Sequence, residues 1–230
     1  MKIDFKKIKT IFLKTIKWFF ILSIASVIIF RFVPIPFTPL MIIRCCQQTF
    51  DSDRKVRLKK DWTSLENISA AMPLAVITSE DQKFEEHFGL DMQAIEKATV
   101  YNEKHKKKRG ASTISQQVAK NVFLWPSRSY IRKGFEVYFT LLIEVFWSKP
   151  RIMEVYLNVI ELGDGIYGVE AASEYYYKKP AKKLSVSESA GLAAILPLPL
   201  KWSPVNPNAR VTHRQQWIIR QMRYVDLKDC

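Results

Sequence analysis

Two segments near the middle of the chain carry residues that could do chemistry. Glu80 to Gly89 (EDQKFEEHFG) opens on a carboxylate pair, and Gly110 to Asn121 (GASTISQQVAKN) gathers polar groups around a lysine. Val76 and Ile77 precede Glu80 by four and three residues and Phe84 follows by four, so a helix through this region would set Glu80 on an apolar face. A carboxylate held against apolar groups loses hydration and keeps a proton more readily, which suits a general acid or base. Structural carboxylates more often face water or cap a helix, so Glu80 alone does not decide the matter.

The second segment has a structural reading and a chemical one. Thr113-x-x-Gln116 is a capping box, which would satisfy orphan backbone N–H groups at a helix start. The same N–H groups and the helix dipole favour an anion. Gln116 and Lys120 are four apart and share a face. Capping explains Thr113 and Gln116 but leaves Ser112, Gln117 and Lys120 without a reason to gather there. Further on, Arg132, Glu136 and Thr140 fall at successive four-residue steps, with Lys133 beside them. By itself this is an exposed Arg–Glu pair worth a few tenths of a kcal/mol, roughly. With Glu80 it offers two separated acids plus cations, the equipment of glycosyl chemistry.

Helices must position these groups. Apolar periodicity predicts helices over Met72–Phe88, Ile114–Phe123, Tyr130–Trp147, Ile152–Leu162, Val169–Tyr177 and Ser187–Leu196, and strand alternation is scarce, so the domain is expected to be mainly α. Asn102 to Arg109 (NEKHKKKR) is basic and poorly periodic and reads as a loop. It is either a solvated surface run or, given its place before Gly110, a gating or phosphate-contacting segment.

The N-terminus reads as a membrane anchor. Trp18 to Phe30 is apolar except for Ser23 and Ser26, and Lys17 to about Val33 can span a bilayer core if Arg31 snorkels. Pro34, Pro36 and Pro39 then stop the helix. Six lysines against Asp4 precede the run, which places the N-terminus in the cytoplasm and the rest outside. Arg31-Phe32-Val33-Pro34 offers no small-residue cleavage site, and the run has no polar face, so neither a signal peptide nor a core helix fits.

The formal net charge is +14, and the first 44 residues, with eight cations against Asp4 alone, hold half of it. The basic remainder would suit nucleic acid, anionic lipid or a phosphorylated substrate; export disfavours nucleic acid, and a lipid-linked phosphate satisfies both charge and anchor. Cys45 and Cys46 are adjacent and Cys230 is terminal, so no disulfide framework or metal-ligand spacing emerges.

Taken together the motifs resemble the peptidoglycan glycosyltransferases, the family shared by monofunctional biosynthetic transglycosylases and the N-terminal domains of bifunctional penicillin-binding proteins. E-D-x-x-F-x-x-H-x-G is matched by Glu80, Asp81, Phe84, His87 and Gly89. G-x-S-T-I-x-Q-Q-x-x-K-N is matched by Gly110, Ser112, Thr113, Ile114, Gln116, Gln117, Lys120 and Asn121. R-K-x-x-E falls on Arg132, Lys133 and Glu136; Lys149, Ile152, Glu154, Tyr156, Leu157, Asn158, Gly163 and Gly168 carry a fourth motif, and Ala171, Ala172, Tyr175 and Tyr176 a fifth. The resemblance spans roughly residues 65 to 207, and the short remainder leaves no room for a transpeptidase domain.

The resemblance implies a lysozyme-like glycosyltransferase domain over 45–230 with a smaller membrane-associated lobe, after a basic tail, transmembrane helix and Pro-rich exit over 1–44. It implies an enzyme of the bacterial inner membrane, its catalytic domain periplasmic, that polymerises lipid II into β-1,4-linked glycan and releases undecaprenyl diphosphate. In that reading Glu80 and Glu136 are catalytic, Glu80 as the base. Ser112, Thr113, Gln116, Gln117, Lys120, Asn121, Arg132 and Lys133 bind substrate. A divalent cation (Mg or Mn) would reach Glu136 through the donor diphosphate, with no organic cofactor, and cell-wall synthesis or division proteins are possible partners. Lys108 and Arg109 are further donor-site candidates. A lytic transglycosylase or lysozyme, which cleaves glycan, and an idle membrane adaptor are the competing classes.

Overall fold

A computed structural model describes residues 5–51, 56–105, 110–127 and 129–225. The chain divides into two compact units, 1–34 and 35–230. The first is helix α1 (Phe5–Phe32), long and apolar enough to cross a membrane. At about 1.5 Å per residue its 28 residues extend about 42 Å, more than a bilayer core requires.

The second unit is mainly helical. Thr38 caps α2 (Pro39–Thr49) by accepting from the Met41 N–H. Then come β1 (Lys59–Lys60), α3 (Ala71–Glu80), α4 (Met92–Lys104), α5 (Ile114–Phe123), α6 (Tyr130–Phe146) and α7 (Lys149–Val159). The strands β2 (Glu161–Gly163) and β3 (Ile166–Tyr167) precede α8 (Val169–Tyr177), α9 (Val186–Ile195) and α10 (Ala209–Gln221). The small sheet has the order β1-β3-β2, with β1 parallel and β2 antiparallel to β3.

Local sequence accounts for most helix starts. Thr113 and Gln116 form both halves of the capping box of α5, and Ser185 and Glu188 repeat it at α9. Ser129, Ser148 and Asn208 cap α6, α7 and α10 through side-chain oxygens. Ser189 to Ile195 of α9 are all buried, so beyond its first turn this helix has no solvent face, and it packs on α3 and α10. Helix α5 packs on α6 and α7. The site lies where the end of α3 meets the start of α5.

Two predicted helices differ in bounds by more than one residue. The one expected over Met72–Phe88 stops at Glu80, because Asp81 takes non-helical angles (φ −160°, ψ 75°) while its carboxylate accepts from the Ile114 N–H at 3.0 Å. The one expected over Ile152–Leu162 is α7, which ends at Val159; Glu161 and Leu162 turn into β2. Residues 102–104 complete α4, whereas Lys108 and Arg109 lie outside the described residues.

Candidate active site

The first motif is built as a brace. The Asp81 carboxylate also faces His87, whose Nε2 lies 2.9 and 3.1 Å from its two oxygens. The Thr113 hydroxyl donates to the Gly89 carbonyl at 2.6 Å. Lys149 Nζ donates to the His87 carbonyl at 2.7 Å, pairs with buried Glu144 at 2.9 Å and sits 4.6 Å from the centroid of the buried Phe84 ring. Ser115 Oγ donates to the same Glu144 oxygen. These bonds tie the loop after α3 to α5, α6 and α7, and leave Asp81, Phe84, His87 and Gly89 holding structure.

Glu80 stands apart from that brace. Its Oε1 accepts from Arg214 Nη2 at 2.9 Å and Ser79 Oγ at 3.0 Å, and its Oε2 from Gln117 Nε2 at 3.1 Å. The expected apolar setting is therefore replaced by three polar donors, since the helix ends before Phe84 can share its face. Buried Tyr156 extends the chain, its hydroxyl donating to Gln117 Oε1 at 3.2 Å. Burial pushes the Tyr156 hydroxyl well above the usual phenol range, so it remains a donor at neutral pH.

Glu80 lines a cleft of about 560 Å³ with Ser112, Thr113, Lys83, Lys97, Asp91 and Trp217 among its other walls. Ser112 is exposed at its edge, while Thr113 and Gln116 are buried and spend their side chains on the α5 capping box. Lys120 and Asn121, later on α5, line a second cavity of about 390 Å³ with Arg44, Glu161, Leu40 and Ser127.

Glu136, on α6, is only 3% exposed and is gripped from both sides. Arg132 Nη1 lies 2.5 Å from one carboxylate oxygen and Lys133 Nζ contacts the other. Arg132 Nε also donates to the Ser127 carbonyl at 2.6 Å, on the wall of the second cavity. Burial pushes the Lys120 ammonium below its ordinary range; Glu136 opposes this, Arg132 and Lys133 add to it, and Glu80 opposes it. Lys120 thus senses both carboxylates and joins the two halves of the site. Three cations there face one carboxylate, a surplus that suits a doubly charged anion.

The residues around Glu136 do not form a metal cage. Both of its oxygens are already ion-paired, and among the described residues no group of three or more His, Cys, Asp or Glu side chains could hold an ion.

Sequence reasoning missed Arg214. It lies 134 residues from Glu80, on a polar helix with two buried residues, Val211 and Ile218. A signal did exist: Arg214 follows Val211 by three and precedes Ile218 by four, which puts it near the inner face.

The chain is similar to known proteins over most of its length. The transglycosylase family model matches residues 47–223. A biosynthetic peptidoglycan transglycosylase of Bacteroides thetaiotaomicron is 54% identical over 208 residues, covering 90% of this chain and 84% of the relative. Those of Mannheimia succiniciproducens (52% over 212 residues, 92% and 87%) and Haemophilus influenzae (53% over 205 residues, 89% and 83%) are similar to it to the same degree.

Proposed function

The chain belongs to the transglycosylase family, and from that premise we propose that it polymerises lipid II into β-1,4-linked glycan strands with Glu80 as general base. It is a peptidoglycan glycosyltransferase, so the reaction joins sugars. The acceptor's 4-hydroxyl oxygen attacks the donor's anomeric carbon from the face opposite the leaving group. Glu80 takes the hydroxyl proton as the new C–O bond forms. The bond from the anomeric carbon to the diphosphate oxygen breaks, and undecaprenyl diphosphate leaves with the electron pair. One displacement inverts the α-linked donor to a β-linkage.

The observation that carries this reading is the setting of Glu80. Three donors from Ser79, Gln117 and Arg214 fix a carboxylate at the wall of an open cleft. Preorganisation of that kind removes the need to orient the base during reaction. Arg214 and Gln117 are positioning residues, because they act through Glu80. A diphosphate leaves without a strong acid if its developing charge is met, and Lys120, Arg132 and Lys133 would meet it. Glu136 holds Arg132 and Lys133 in place, while Ser112 and Asn121 contact the sugars or the peptide-bearing chain.

Helix α1 would hold the enzyme in the inner membrane with its N-terminus cytoplasmic and residues 35–230 on the outer face, where the six N-terminal lysines would direct it. Purified full-length protein given lipid II in detergent should yield glycan polymer and undecaprenyl diphosphate. Cleavage of preformed glycan without synthesis would make it a lytic enzyme, and no turnover of either would make it an adaptor.

A further inference from the structure

We propose that Arg57, Lys59 and Lys178 converge on Tyr175 to form a binding site for the phosphate headgroups of anionic phospholipids. Arg57 Cζ lies 5.3 Å, and Lys59 and Lys178 Nζ each 5.6 Å, from the centroid of the Tyr175 ring. Every pair of these charges is therefore within about 11 Å, little more than a Debye length in physiological salt. Arg57 Nη1 also donates to the Tyr175 hydroxyl at 3.3 Å, and Lys178 Nζ to the Tyr175 carbonyl at 3.0 Å.

Among the described residues the cluster has no acidic partner. Neighbouring lysines are already engaged: Lys179 pairs with Glu188 at 2.6 Å, and Lys182 donates to the Glu66 carbonyl. Among the described residues no acid pairs with Arg57, Lys59 or Lys178. One ring offers two faces of negative potential and cannot balance three charges. Lys178 is moreover the sole non-glycine at positive φ (58°) among the described residues, where it caps α8. Glycine or asparagine is the usual choice at such a left-handed helix end. A lysine kept there brings its charge beside the ring at a conformational cost.

Position points to lipid rather than to a soluble anion. Lys60, next to Lys59 but on the opposite face of the strand, donates from Nζ to the Ile35 carbonyl at 2.6 Å. Ile35 is only three residues past the end of α1, which covers at most about 11 Å of chain. The backbone N–H of Arg57 is held at 2.8 Å by Gln48, on α2. Strand β1 is thus fastened to the segment through which the chain leaves its apolar helix, where headgroups lie if α1 spans a bilayer.

The test uses full-length protein in nanodiscs and an amine reagent that labels lysines, read by mass spectrometry. Discs containing phosphatidylglycerol should lower labelling of Lys59 and Lys178 at least about threefold relative to phosphatidylcholine discs, with exposed Lys201 unchanged. The protection should disappear in high salt and in Arg57→Gln. Equal labelling in both discs would overturn the proposal. So would equal protection in neutral discs by inorganic phosphate, which would make the site one for small anions. Retention of protein on neutral discs in high salt reports the anchor separately.

Discussion

Glu80 and Glu136 are both carboxylates among cations, yet their surroundings give them different work. Glu136 is buried, with one oxygen ion-paired to Arg132 and the other to Lys133. Glu80 borders open space and keeps its orientation through three donors. The sequence singled out Glu80 through its motif, while of the apolar face expected for it Val76 and Ile77 lie on its helix and Phe84 does not. The spacing from Val211 and to Ile218 could have put Arg214 near the inner face of α10, but its pairing with Glu80 was hidden because the two lie 134 residues apart. If Arg214 positions the base, Arg214→Met should lower kcat about tenfold or more with little change in KM for lipid II, and Arg214→Lys should recover part of it. A loss confined to KM would move Arg214 to substrate binding.

At the scale of elements, the site depends on where α3 stops and α5 begins. Asp81 ends α3 and satisfies an N–H at the start of α5, so a single carboxylate sets their relation. The capping box of α5 was legible from four residues, since its bonds are local. The early end of α3 was not, because it is imposed by a partner 33 residues away. Nor did the sequence reading include α2, α4 or α10 among its helices; α4 has no buried residue and α10 only two, so neither shows a full apolar stripe. Gly89 locks this junction. Its φ is +75°, and a Cβ there would lie 2.6 Å from Thr140 Cγ2 and 3.0 Å from Glu144 Cγ. Gly89→Ala should therefore cost about 2 kcal/mol or more through strain and overpacking. Thermal unfolding of the purified variant should show Tm lowered by roughly 4–8 °C; a change below about 1 °C would mean the junction tolerates the methyl group.

For the molecule as a whole, a long apolar helix and a mainly helical remainder were readable in the order of the residues: lysines, an apolar run, prolines, then amphipathic segments. The cationic cluster at Tyr175 was not, because Arg57, Lys59 and Lys178 join through a parallel strand pairing that brings distant segments together. The central claim is that this molecule uses Glu80 to deprotonate an acceptor sugar. Glu80→Gln keeps the size of the side chain but exchanges one acceptor oxygen for an amide N–H donor and removes the basic carboxylate. Its polymerisation of lipid II in detergent is the direct measurement, taken beside its affinity for a fluorescent lipid II analogue. The account predicts a rate at least about 100-fold below the parent with binding and Tm preserved. Near-parental turnover by the folded variant would contradict it.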